Sequence, residues 1–96
     1  MRLPWRKVVQ PQMLRVCLYT RRGCQLCTEA GRVLVERQRR FGFVLDTVDI
    51  DADPALGARY GLTVPVVTVN GKERFRGRIV PALLDRLLRA EAAESR

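Results

Sequence analysis

Residues 14–27 read Leu-Arg-Val-Cys-Leu-Tyr-Thr-Arg-Arg-Gly-Cys-Gln-Leu-Cys, and this stretch decides the fold. Its first seven residues alternate, with Leu14, Val16 and Leu18 on one face and Cys17 and Tyr19 on the other. That is the period of a strand, and both faces read as largely buried. Past Arg21-Arg22-Gly23 the period changes. Leu26, Ala30, Val33, Leu34 and the aliphatic stem of Arg37 recur three and four apart up to Phe41-Gly42, which predicts a helix of roughly 15 residues. Cys24 and Cys27 therefore fall where a strand hands over to a helix.

Working outward, Phe43 to Ile50 reads as a second strand rich in β-branched residues, which completes a βαβ unit with its right-handed crossover. Asp53-Pro54 supplies an N-cap followed by proline at the first helical position, and Gly61 supplies a stop, so a short helix is expected over 54–60. Val66 to Val69 is a third strand. Asn70-Gly71 tolerates the positive φ values of a tight hairpin, so Lys72 to Arg76 should return antiparallel as a fourth. Gly77 ends it, and Pro81 with Ile79, Leu83, Leu84, Leu87 and Leu88 at helical spacing predicts a final amphipathic helix. The expected class is α/β, in the order βαβαββα, with a four-stranded mixed sheet.

A chain of 96 residues has room for one thin core and one domain. Residues 1–13, with Pro4, Trp5, Pro11 and no sustained period, read as a basic and flexible arm before a domain at 14–96. The arm lacks the apolar run of a secretory signal, and no apolar stretch approaches the roughly 18 residues that cross a bilayer. A cytoplasmic protein without a membrane partner is expected. The net charge of +8 is local: residues 1–48 carry ten basic and three acidic side chains, residues 49–96 eight and seven. No aromatic platform accompanies these charges, which argues against a nucleic-acid partner.

The chain has three cysteines and no histidine. Catalytic triads built on histidine and histidine-based zinc sites are thereby excluded. Cys24-Gln25-Leu26-Cys27 in a βαβ context reads as a redox pair, since zinc would need a second pair of ligands and only Cys17 remains. Cys24, at or beside the helix N-cap, faces unpaired N–H groups and the positive end of the helix dipole, which stabilise a thiolate. Arg21 and Arg22 add positive charge. Cys27, one turn on, is more shielded, so Cys24 is the expected nucleophile and Cys27 the resolving thiol. No metal or organic cofactor is required. The competing reading, two cysteines packed incidentally in the core, fits Cys17 better than this pair.

Thr63-Val64-Pro65 precedes the third strand, where proline is tolerated at the first residue. With the βαβαββα order and the Cys-x-x-Cys pair as context, a cis Val64-Pro65 bond is expected. Over residues 14–96 the sequence resembles the thioredoxin superfamily and its glutaredoxin branch. The resemblance is carried by Val16 to Thr20, the cysteine pair, Val48-Asp49-Ile50-Asp51, Thr63-Val64-Pro65 and Val67 to Gly71. It is most similar to small glutaredoxin-like proteins of the DUF836 type, with Arg76-Gly77-Arg78 before the last helix. The resemblance implies a thioredoxin-like fold in which Pro65 is cis and faces the cysteines. It also implies that Val64 offers its backbone N–H and C=O to an extended substrate by strand addition.

This chain departs from a typical glutaredoxin in having Gln25 and Leu26 between its cysteines, and Phe75-Arg76-Gly77-Arg78 where a Gly-Gly-x-Asp segment holds glutathione. Arg22, Arg76 and Arg78 are candidates for a cationic rim that binds a carboxylate bidentately, or are solvated surface residues. The resulting expectation is a thiol–disulfide oxidoreductase exchanging with protein or glutathione mixed disulfides and recharged by a thioredoxin- or glutathione-type reductant. Glutathione enters as a possible co-substrate. The alternatives are a non-catalytic thioredoxin-fold binding module, a glutathione- or [2Fe-2S]-binding protein using Cys24, and an arginine-rich nucleic-acid adaptor using residues 1–22.

Overall fold

A computed structural model describes residues 14–94, so the expected arm at 1–13 lies outside the described residues. The element order is β1 (Arg15–Thr20), α1 (Gln25–Phe41), β2 (Val44–Asp49), a 3-10 turn (Ile50–Ala52), α2 (Pro54–Tyr60), β3 (Val66–Val69), β4 (Lys72–Arg76) and α3 (Pro81–Glu94). The sheet order is β2-β1-β3-β4. β1 runs parallel to β2 and antiparallel to β3, and β4 closes the hairpin antiparallel to β3. This is the expected βαβαββα arrangement on a four-stranded mixed sheet.

The local causes are those of the sequence. Asn70 and Gly71 take φ values of 51° and 85°, which positions the β3–β4 turn. Gly42 ends α1 at φ 75° and donates its N–H to the Gln38 carbonyl, while Arg39 and Arg40 stand at the negative end of that helix. Asp53 caps α2 by accepting the Ala55 N–H, with Pro54 following it.

The main core lies between one sheet face and the helices α1 and α3. Val16, Leu18, Val67 and Val69 from the sheet meet Leu34 of α1 and Leu84 and Leu88 of α3. A smaller cluster of Ile50, Tyr60 and Val66, flanked by Tyr19, covers the opposite face under α2. Two expectations are corrected. β1 is buried on one face and only half-buried at Cys17 and Tyr19, because the seven-residue α2 is too short to cover the second face. The second strand is shorter than Phe43 to Ile50 at both ends: Phe43 turns into the core at 3% exposure and Ile50 opens the 3-10 turn.

Candidate functional site

β1 delivers the chain to Arg21-Arg22-Gly23, where Gly23 at φ +75° makes the bend that admits α1. Cys24 is the N-cap of that helix. Its backbone is extended (φ −104°, ψ 107°), and its Sγ accepts the Cys27 N–H at 3.1 Å. A sulfur thus occupies the place that a Ser or Asp oxygen takes in an ordinary cap. The Cys24 carbonyl accepts from the Thr28 N–H and hydroxyl. Cys24 and Cys27 form a disulfide with a Cα–Cα distance of 5.2 Å. Cys24 is half-buried and Cys27 is 3% exposed, so the two cysteines differ in access to solvent. The first turn of α1 holds no acidic side chain, so nothing there offsets the helix dipole.

Val64-Pro65 is cis. Tyr19 pairs with Val66 across β1 and β3, which places Pro65 beside the end of the strand that leads to Cys24. Pro65 is buried and its carbonyl accepts the Gly77 N–H at 2.7 Å, so the segment before α3 is tied to the cis-proline turn. Thr63 is used locally: its N–H and hydroxyl both reach the Tyr60 carbonyl. The Val64 N–H donates to the same carbonyl at 3.1 Å. Of the two Val64 groups expected to meet an extended chain, only the C=O is therefore left in this state.

The arginines separate into distinct roles. Arg76 is held by the carboxylate of Glu73, three residues back on the same strand. Arg22 and Arg78 are exposed, and among the described residues neither has an ion-pair partner. Arg78 and Leu26 line one cleft of about 340 Å³ between α1 and the start of α3. Of the three arginines expected to form a rim, Arg76 is ion-paired, while among the described residues Arg22 and Arg78 are not.

Arg21 carries a function that its sequence position does not announce. Its guanidinium donates to both Asp51 oxygens, at 2.7 and 3.2 Å, and to the Gly61 carbonyl at 2.9 Å. Asp51 therefore balances its charge locally, and Arg21 is less a source of positive potential for Cys24 than a brace. The Asp51 carboxyl is held below its usual range chiefly by this hydrogen bond. On β1, the Cys17 thiol is pushed up, first by burial and, among smaller effects, by the nearby Asp46 carboxylate, with a Tyr19 hydrogen bond opposing. Among the described residues no group of three His, Cys, Asp or Glu side chains could hold a metal ion, and no helix is long and apolar enough to cross a membrane.

The fold and the Cys-x-x-Cys turn define a thioredoxin-fold protein with a cysteine pair at the start of its first helix. The glutaredoxin-like domain family (DUF836) matches residues 15–89, and the chain belongs to that family. An uncharacterized protein of Mycobacterium tuberculosis is 36% identical over 64 residues, covering 62% of this chain and 66% of that protein, just under two thirds of the relative's length. A structural-genomics protein from X. campestris is 31% identical with a TM-score of 0.65, covering 78% of this chain and 96% of that one. Thioredoxin from Fasciola hepatica, 18% identical, superposes with a TM-score of 0.61 over 91% of this chain and 90% of its own, a likeness of fold.

Proposed function

We propose that the protein is a small thiol–disulfide oxidoreductase in which Cys24 is the nucleophile and Cys27 the resolving thiol. The observation that carries this reading is the N-cap geometry: a half-buried Cys24 whose Sγ accepts a helix N–H, joined to the buried Cys27 one turn on. Such a position favours the thiolate over the thiol.

In the reduced protein the Cys24 thiolate attacks a substrate disulfide. A Cys24–substrate S–S bond forms, the substrate S–S bond breaks, and one substrate sulfur leaves as a thiolate that takes up a proton. Cys27 then loses its proton and attacks the Cys24 sulfur, which forms the Cys24–Cys27 disulfide and expels the second substrate thiolate. Two electrons and two protons pass from the dithiol to the substrate, and an external dithiol or two monothiols return them. The exchange needs no metal or organic cofactor. Protein mixed disulfides and glutathione disulfides are the substrate classes, with a thioredoxin- or glutathione-type reductant in a cytoplasmic, reducing setting. The Val64 carbonyl and the Pro65 turn support an extended substrate chain beside the sulfurs.

The test is reduction of hydroxyethyl disulfide, and of a peptide mixed disulfide, by the protein with a reducing system. Cys24→Ser should abolish turnover, and Cys27→Ser should accumulate a Cys24 mixed disulfide visible by mass spectrometry. Turnover undiminished by Cys24→Ser would eliminate the mechanism. A chromophore in freshly purified protein that depends on Cys24, without disulfide turnover, would favour the [2Fe-2S] binding alternative.

A further inference from the structure

The cleft between α1 and the segment entering α3 shares Leu26 with the redox motif, so a chain bonded through sulfur to Cys24 lies within reach of it. Its walls combine apolar surface from Leu26 and Val33 on α1 and Ile79 opposite with two guanidinium groups, Arg32 and Arg78, against a single carboxylate, Glu29. Both arginines are exposed, and among the described residues neither has an ion-pair partner, in contrast to Arg21, Arg37 and Arg76. Arg22, exposed in the turn before Cys24, adds a third uncompensated cation on the approach.

We infer that this cleft is the docking site for an acidic stretch of the polypeptide whose disulfide is exchanged at Cys24, an inference that rests on the redox reading above. Guanidinium groups bind carboxylates through paired N–H donors. Apolar walls set between separated cations suit an extended chain presenting an apolar side chain flanked by Asp or Glu. A basic segment would meet Arg32, Arg78 and Arg22 at once, so the cleft discriminates by repulsion as well as attraction. Charge complementarity of this exposed kind acts on encounter and specificity and weakens with salt.

The test uses end-capped peptides with one cysteine in a mixed disulfide, identical except for two flanking Asp, two Gln or two Lys residues. The wild-type protein should process the Asp peptide about five-fold more efficiently in kcat/KM than the Lys peptide, the scale of two exposed ion pairs. The ratio should shrink as salt rises from about 50 to about 500 mM, and it should invert in Arg32→Glu/Arg78→Glu. A control with the same charge change, Arg86→Glu/Arg89→Glu on exposed positions of α3, should keep the wild-type ratio. Equal handling of the Asp and Lys peptides overturns the docking inference, as does a preference that survives Arg32→Glu/Arg78→Glu or is lost equally in the control. A glutathione mixed disulfide processed better than the Asp peptide would assign the cations to a small thiol and overturn it too. If wild-type protein reduces no disulfide, including neutral hydroxyethyl disulfide, the redox reading falls and takes this inference with it.

Discussion

The Arg21 guanidinium lies 2.7 Å from an Asp51 oxygen while another of its nitrogens donates to the Gly61 carbonyl at 2.9 Å. Arg21 starts the turn into Cys24, Asp51 sits in the 3-10 turn after β2, and Gly61 closes α2 four residues before Pro65. One side chain therefore ties the cysteine turn to the segment leading into the cis-proline turn, the two loops that the proposed exchange uses together.

Replacing Arg21 with Gln should loosen that brace and lower exchange with extended peptide disulfides more than with hydroxyethyl disulfide. A several-fold rise in KM for the peptide, with kcat on the small disulfide little changed, is the expected pattern. Arg21→Lys should restore it only in part, because an ammonium cannot serve two Asp51 oxygens and the Gly61 carbonyl with a planar fork. Equal losses on both substrates, or full rescue by Lys, would show that Arg21 does not act by positioning.

The same pair fixes a pH dependence. The Asp51 carboxyl is lowered in the folded protein, so its contribution to stability is fully present above the unfolded carboxyl value of about 4. It is lost as pH falls through the lower folded value. Asp51→Asn should therefore be less stable than wild type by a constant margin between about pH 5 and pH 7. Denaturant titrations should show that margin closing below about pH 4. A margin unchanged into strong acid would exclude ionised Asp51 as its source.

Gly61 is sensitive for a different reason. Its backbone is ordinary right-handed helical at φ −55°, but an added Cβ would come within 2.5 Å of the Gly57 carbonyl oxygen. That neighbour is backbone and cannot swing away. Gly61→Ala should cost about 1–3 kcal/mol in thermal or denaturant unfolding and displace the segment running to Pro65. Unaltered stability together with unaltered peptide exchange would place that segment outside the functional geometry.

The elements were legible because their causes are local: alternation at Leu14 to Thr20, three-and-four spacing from Leu26 to Leu34, Asp53-Pro54 and Asn70-Gly71. The cysteine turn followed from where two such periods meet. The brace was not legible. Arg21 is 30 residues from Asp51 and 40 from Gly61, and exposed polar residues carry no periodicity that would join them. Pairing of Arg76 with Glu73 was equally hidden, since a Lys-Glu-Arg-Phe-Arg strand does not say which charge its arginines keep. The Val64 N–H was committed to Tyr60 by the way α2 unwinds, a feature of backbone geometry with no side-chain signal.

The contrast between the sulfurs gives a further test. Cys24 sits at a helix N-cap beside N–H donors, whereas the half-buried Cys17 thiol is raised above its ordinary value, first by burial, with the Asp46 carboxylate adding to it. A cap position favours the thiolate and a desolvated strand position favours the neutral thiol. After reduction, iodoacetamide should label Cys24 at pH values well below the roughly 8.5 of a free thiol, while Cys17 labelling should rise only above it. Mapping the adducts by mass spectrometry across pH 5 to pH 10 separates the three positions, with about pH 8.5 as the dividing line. Cys27, 3% exposed, should label slowly throughout because access rather than ionisation limits it. A Cys24 profile superposing on that of a free cysteine would remove the electrostatic basis for the nucleophilic role proposed for it, and early labelling of Cys17 would show that β1 is not shielding it.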